Sequence, residues 1–195
     1  MVWFYLDNLR RKRVSAKREF TVEKQTVYQG PVLKIDQYQL RMPNGKEIVR
    51  DIVERPESVL VLPVGLKGTV LLIEEYNLGA ENWQLAIPGG KVDDPTPDGI
   101  HKQAEVELRE EIGYRPGRLE KLLDFYSHPG HIGHKVHLLV AHDLEWDPLE
   151  MEDGEEIRVH TFTLDEALAE TRVDYRCDPE AALALWLYSD ISRKF

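Results

Sequence analysis

Pro88-Gly89-Gly90-Lys91-Val92-Asp93-Asp94-Pro95-Thr96-Pro97, continued after a short interval by Ala104-Glu105-Val106-Glu107-Leu108-Arg109-Glu110-Glu111-Ile112-Gly113-Tyr114, decides how the rest of the chain is read. The Pro-Gly-Gly turn leads into a helix. Residues three and four apart on a helix are neighbours, so Glu107, Glu110 and Glu111 fall on one side. Carboxylates that close repel one another, which leaves two readings: a solvated acidic face, or a face that holds a divalent metal ion. Ile100, Ala104, Leu108 and Ile112, at four-residue spacing, form the stripe that packs this helix on a core.

The run from Ala104 to Tyr114 resembles the second half of the Nudix box, whose pattern is Gly, five residues, Glu, seven residues, then Arg-Glu-apolar-any-Glu-Glu-any-Gly-apolar. Gly90 matches the opening glycine. From Gly90 to Glu107 the chain is two residues longer than the pattern, across Pro95-Thr96-Pro97, so the first box glutamate is either missing or replaced by Asp98. Val106 stands where the box has an arginine. In the family that arginine braces the metal-binding glutamates, and loss of such a partner typically costs ~10–100-fold in metal affinity or activity.

Outside the box the likeness narrows. Ile73-Glu74-Glu75-Tyr76-Asn77-Leu78-Gly79 and Trp83-Gln84-Leu85-Ala86-Ile87-Pro88-Gly89-Gly90 are similar to the segment preceding the box in the ADP-ribose pyrophosphatase branch, and especially in the ADP-compounds hydrolases. Ser127-His128-Pro129-Gly130 and Glu155-Glu156-Ile157-Arg158-Val159-His160 fall where that branch has a Ser-Pro-Gly loop and an acidic loop. The similarity runs from Tyr28 to Leu187.

This resemblance implies an α/β chain with the Nudix fold, an α/β/α sandwich built on a mixed β-sheet. It implies Mg²⁺-dependent hydrolysis, with Mn²⁺ as the alternative ion, of the pyrophosphate bond of an ADP-linked compound to AMP and a second phosphorylated product. ADP-ribose, NADH, an ADP-sugar and a diadenosine polyphosphate are the substrates of that class. At matching positions Glu107 and Glu111 are metal ligands, Glu110 is the adjacent box glutamate, and Gly89 offers a backbone carbonyl to the metal. In the acidic loop Glu150–Glu156, Asp153 falls at the position of the general base, with Glu152, Glu155 and Glu156 as alternatives, and Glu110 if the loop supplies none. Arg50 matches a substrate-contacting arginine suited to phosphate. Asn77 replaces an arginine of many ADP-ribose pyrophosphatases and fits the ADP-compounds hydrolases better. Without the resemblance the loop reads equally as a solvated acidic segment, and Arg50 and Arg55 as exposed strand charges. The competing function is a catalytically weak Nudix-fold nucleotide-binding or regulatory module, favoured by Val106 and the interrupted box.

At 195 residues the chain is long enough for one domain with a sizeable core. Its 42% apolar content is ordinary, and a net charge of −10 argues against a broad nucleic-acid surface. The single cysteine, Cys177, cannot form an internal disulfide, so a reducing cytoplasm is expected. No apolar run approaches the ~18–20 residues needed to span a membrane. The apolar start Met1–Leu6 precedes the basic cluster Arg10–Arg18, the wrong order for a secretory signal; it reads as a solvated arm or as a membrane-surface or partner contact.

Strand signals run over Phe20–Tyr28, Val32–Arg41, Glu47–Glu54, Ser58–Val64, Thr69–Ile73, Lys121–Tyr126, Lys135–Ala141 and Ile157–Phe162, with Asn44-Gly45 as a two-residue hairpin turn. Thr163 and Glu166 form a capping box for a helix through Glu170, and Asp178-Pro179 starts another through Ser189. Residues 1–55 are expected to form an N-terminal arm and β-element, exchanged between subunits of a homodimer in related proteins, ahead of a catalytic domain over 56–195. His128, His131, His134 and His137 recur every third residue. A transition-metal site, a phosphate-contacting loop and ordinary surface histidines are the three readings.

Overall fold

The structure is a computed structural model that describes residues 21–31, 33–151, 154 and 156–193. Readings placed on the N-terminal arm, Phe20, Val32, Glu152, Asp153 and Glu155 lie outside the described residues. The strands are β1 (Thr21–Gln29), β2 (Lys34–Arg41), β3 (Glu47–Glu54), β4 (Ser58–Pro63), β5 (Thr69–Asn77), β6 (Asn82–Ala86), β7 (Gly89–Lys91), β8 (Tyr114–Tyr126), β9 (Ile132–Gly133), β10 (Lys135–Trp146) and β11 (Arg158–Thr163). The helices are α1 (Pro97–Glu111), α2 (Leu164–Glu170) and α3 (Pro179–Ser192). They divide into two compact units, one holding the described residues up to Arg55 with His128–Gly133, the other Pro56–Ser127 with His134 onward.

The first unit is a sheet in the order β1-β2-β3-β9, antiparallel except for the parallel β3–β9 pair. The hairpin between β2 and β3 differs from the two-residue turn expected at Asn44-Gly45. Gly45 N donates to Met42 O at 2.8 Å and Met42 N to Lys46 O at 2.8 Å, so the loop is Pro43-Asn44-Gly45. Pro43 presets the first corner and Gly45, at φ +78°, closes it in the left-handed region. Among its described residues no apolar side chain is fully buried; the buried residue is Asp36. Lys24 and Lys34 reach Asp36 at 2.7 and 2.9 Å, and Thr26 Oγ1 donates to it at 2.7 Å. Burial pushes the Asp36 carboxyl up, but these partners outweigh it and hold the group well below the usual carboxylate range.

The second unit is built on strands that bury both faces. β4 and β10 run parallel, flanked antiparallel by β7 and β8, in the order β7-β4-β10-β8; β11-β5-β6 form an antiparallel sheet. Alternate residues of one strand point to opposite sides. Val59, Val61, Leu71, Ile73, Leu139 and Ala141 pack with Ile100, Ala104 and Leu108 of α1. Leu62, Val70, Leu72, Leu138 and Val140 pack with Ala167, Leu168, Ala181, Ala184 and Leu185 of α2 and α3. The result is an α/β/α arrangement, helices on both sides of the strands. Each large aliphatic side chain buried this way stabilises the fold by about 1.5–3 kcal/mol. Among the described residues no helix is long and apolar enough to cross a membrane.

β5, β8 and β10 run well past their sequence signals, and β6, β7 and β9 carry none. β8 begins at Tyr114 rather than Lys121, running through Pro116 and Gly117. It lies at the edge of its sheet, where a proline's missing N–H need not break a ladder. β10 continues beyond Ala141 as the partner of this extension. β6 and β7 are too short to show a period. The segment before α3 straps along β6: Leu85 N donates to Arg176 O at 2.7 Å and Asp178 N to Leu85 O at 2.9 Å. Cys177, within this strap, packs on the core that α3 covers, and burial pushes its thiol up to about 11.

The capping box of α2 is present, with Glu166 accepting from Thr163 N and Thr163 Oγ1 accepting from Glu166 N. Asp178 caps α3, accepting from Ala181 N, and burial pushes its carboxyl up to about 7 although that hydrogen bond opposes the shift. Because the folded value lies above the ordinary 3.8, the folded state prefers the protonated form. Its contribution is complete below about pH 4 and is lost as pH rises to about 7. Asp178→Asn keeps a capping oxygen and cannot ionise. The Tm of that variant minus the wild-type Tm should climb by several degrees between about pH 4 and pH 7 and level off above. A difference that stays flat across that window would remove ionisation of Asp178 from the account.

Candidate active site

The approach to α1 is set by local hydrogen bonds. Asp94 Oδ1 accepts from Thr96 N at 3.0 Å, Thr96 Oγ1 accepts from Gly99 N at 3.2 Å, and Pro97 occupies the first turn. Ile100, Ala104 and Leu108 then anchor one face of the helix, with Ile112 just beyond it. Gly113, at φ +79°, ends it where a side chain would strike Trp146.

Two glycines bring β7 against neighbours that a side chain would not permit. A Cβ on Gly89 would lie 2.2 Å from Val59 O, and one on Gly90 would lie 2.0 Å from Glu107 Oε1. The Glu107 carboxylate therefore sits directly on the Gly90 backbone, and Gln103 Nε2 donates to its Oε1 at 2.9 Å. One turn further on, Glu111 is buried at 7% exposure although it carries a carboxylate. Glu110 is half-buried, and Val106 is half-buried outside both core clusters. Arg109 does not substitute for the missing box arginine. It donates from Nε to Asp147 O at 2.9 Å and pairs with the Asp147 carboxylate at 3.2 Å. Asp98 is exposed in the first turn of α1, nine residues before Glu107 and so about 13 Å away along the axis.

Among the described residues no three His, Cys, Asp or Glu side chains gather closely enough to cage a metal ion by themselves. The donors that do meet fit a hard divalent cation all the same: carboxylates of Glu107 and Glu111 on one helix face, beside backbone at Gly89 and Gly90 that carries no side chain. Magnesium suits such a set, because it is held by one or two carboxylates and keeps waters and substrate oxygens for the rest.

Around this helix the structure adds residues whose roles the sequence does not announce. Glu74 is buried on β5 and paired by Arg176, with His160 Nε2 at 3.2 Å. The Arg176 hydrogen bond is the main reason its carboxyl lies below the ordinary value, against the opposing effect of burial. Arg158, opposite Glu74 in the β5–β11 register, stacks over Trp83 with its guanidinium carbon 3.9 Å from the ring centroid. Arg158 also pairs with Glu156 at 3.1 Å, so the described end of the acidic loop is tied to β6 through an aromatic ring. In the sequence Glu74 stands beside Glu75 just past the apolar run that ends at Ile73, so no local pattern separates the buried carboxylate from its exposed neighbour.

The remaining sequence-based candidates fall in both compact units. Arg50, on β3 in the first unit, is exposed and donates to Val49 O at 2.8 Å. The histidines do not form a metal cluster among the described residues. His128 and His131 are exposed in the first unit. His134 Nε2 lies 2.9 Å from Ser58 Oγ, and His137 is buried between two carboxylates. Of the four histidines only His137 lies on β10, and His134 immediately precedes it.

A family model for the NUDIX domain matches residues 54–179 of this chain. The chain belongs to the Nudix family. An ADP-ribose pyrophosphatase of Bacillus subtilis (strain 168) is 31% identical over 171 residues, covering 86% of this chain and 90% of that protein. A methanol dehydrogenase activator of Bacillus methanolicus is 30% identical over 155 residues, covering 77% and 81%. Among solved structures, an ADP compounds hydrolase superposes with a TM-score of 0.81 at 23% identity, covering 90% of this chain and 95% of that one. The likeness is to the ADP-ribose pyrophosphatase branch of the Nudix family, and the superposition carries the fold.

The two glycines separate stability from function. In Gly89→Ala the new methyl meets a backbone carbonyl, so the Tm should fall by several degrees. In Gly90→Ala it meets the end of the Glu107 side chain, which can swing away; the Tm should hold while activity drops about 10–100-fold. Thermal melts and turnover of the two variants check this, and a fully active Gly90→Ala would break the link between Gly90 and Glu107.

Proposed function

We propose that this Nudix pyrophosphohydrolase cleaves the pyrophosphate bond of an ADP-linked compound, an ADP-ribose, NADH, ADP-sugar or diadenosine polyphosphate, releasing AMP and a second phosphorylated product. The carrying observation is Glu107 seated on Gly90 with Glu111 buried one turn along the same helix. Two carboxylates on one helix face beside backbone without side chains offer hard oxygen ligands of the kind a divalent cation takes. A divalent ion of the magnesium type, when bound, neutralises phosphate oxygens and makes water a better nucleophile. Glu107 and Glu111 would hold it, with the Gly89 carbonyl and Glu110 beside them. Asp153 takes the proton of the attacking water, with Glu156 as the alternative base. The water oxygen bonds to the attacked phosphorus as its bond to the bridging oxygen breaks, and the electron pair leaves on that oxygen as part of the departing phosphate monoester. Arg50 is the proposed phosphate contact of the substrate.

The test is turnover of ADP-ribose, NADH, ADP-glucose, GDP-mannose and diadenosine triphosphate with Mg²⁺ and then Mn²⁺, on wild type, Glu111→Gln and Asp153→Ala. ADP-linked compounds should lead the panel. Glu111→Gln should lose orders of magnitude in turnover with its fold intact. Asp153→Ala should lower kcat with KM nearly unchanged, because proton transfer matters only in the transition state. Near-normal turnover in Glu111→Gln would move the metal elsewhere. A second reading, a catalytically weak nucleotide-binding or regulatory module, is favoured by Val106 in the place of the bracing arginine and by the likeness to a dehydrogenase activator. That reading would show as ligand binding without turnover across the whole panel.

The N-terminal β-element, without a fully buried apolar residue among those described, is proposed to be completed by exchange in a homodimer. Light scattering should then give twice the 22.6 kDa chain mass, and a monomer at micromolar concentration would exclude the exchange.

A further inference from the structure

Two features of the sequence are not absorbed by the hydrolytic reading, the proline-bearing insertion in the box and the histidine series that ends at His137. They meet in one place. Pro95 and Pro97 line a cavity of about 300 Å³ together with His137, and the cavity contains none of Glu107, Glu110 and Glu111. Ile100 and His101 contribute its helix wall from the first turns of α1. Ile100 precedes Glu107 by seven residues, about 10 Å along the axis.

The cavity presents more donors than acceptors. His137 is 4% exposed, with Nδ1 3.0 Å from Asp124 Oδ1 and Nε2 2.7 Å from Glu57 Oε2. Lys135 Nζ donates to the same Glu57 Oε2 at 3.0 Å, and Lys121 pairs with Asp124 Oδ2. The His137 hydrogen bond is the main cause of the lowered Glu57 value; at Asp124 burial opposes, and Lys121 and His137 overcome it. The two carboxylates are thus already engaged, whereas each lysine ammonium has three N–H donors and one carboxylate partner here. Lys121 and Lys135 line the cavity and stay partly accessible, at 36% and 30% side-chain exposure. Pro95, Pro97, Ile100 and Leu139 supply apolar wall. In a chain of net charge −10, two ammonium groups lining one cavity beside a single lining carboxylate, Asp124, stand against the prevailing charge.

We propose that this cavity is a second, non-catalytic binding site for a small phosphate monoester, its phosphate held by Lys121 and Lys135 and its body laid against Pro95, Pro97, Ile100 and Leu139. A phosphate supplies several acceptor oxygens to two point-charge donors, which a carboxylate matches less fully. The volume is at the lower end for ligand pockets, of order 300–1,000 Å³, and excludes large dinucleotides. The site stands apart from the reaction proposed above and does not depend on it.

Calorimetric titration of the full chain in EDTA with AMP, ribose 5-phosphate and inorganic phosphate tests the site without a loaded metal centre. Wild type and Glu111→Gln should bind at least one monoester with equal affinity, and Lys121→Gln with Lys135→Gln should weaken it tenfold or more. Inorganic phosphate should bind more weakly than the best monoester; equal affinity would assign the site to free phosphate and overturn the monoester. A loss of binding in Glu111→Gln, or the absence of binding by all three probes, overturns the site itself. Should the lysine double variant melt early, acetic anhydride labelling of wild type replaces it. The bound monoester should then protect Lys121 and Lys135, and unchanged labelling of both refutes the proposal.

Discussion

Val59 and Val61 of β4 face the helix that carries the glutamates, while Leu62 of the same strand faces α2 and α3. The same division repeats at Leu138 against Leu139 in β10 and at Leu72 against Leu71 in β5. Strands obliged to bury both faces need helices on both sides, and that requirement fixes where α1 lies. Once Ile100, Ala104 and Leu108 are committed to the sheet, Glu107 and Glu111 are carried to the flank that meets β7. Gly89 and Gly90 let β7 come close enough for backbone and carboxylate to touch. Position in the site is thus inherited from packing, and the chemistry adds only the choice of side chain.

The α1 helix, its apolar stripe and most strands of the second unit were legible because each repeats a period long enough to recognise. β6 and β7 were not, since neither five nor three residues establish alternation. Pro116 and Gly117 read as a break, yet β8 passes through them because an edge strand tolerates a missing donor. Asn44-Gly45 signalled the hairpin correctly and its length wrongly, since Pro43 moves the turn back by one residue. At the site, the box pattern drew attention to Glu107 and Glu111, whereas the Glu57–His137–Asp124 chain joins residues that no local spacing relates. Contacts across 80 positions of sequence leave no trace in a window of ten.

Buried ionic groups recur in this molecule, and each is compensated differently. Asp36 is answered by two lysines and Glu74 by Arg176 and His160. Single removals within such sets are costlier than the pair's net contribution, because the survivor stays in the interior without its charge partner. Arg158 also reaches the Glu74 carboxylate, at 3.8 Å, while stacked on Trp83 and paired with Glu156.

The strap along β6 has a chemical corollary. Its Leu85 hydrogen bonds occupy the outer edge of that strand, so another chain cannot add a strand there without first displacing residues 176–178. Within the strap, Cys177 keeps its proton far above neutrality. The thiolate is the form that attacks disulfides and is oxidised by peroxide, and at neutral pH a thiol titrating near 11 supplies it in on the order of one molecule in ten thousand. The thiol that sits in the strap is thus held mostly in its unreactive, protonated form.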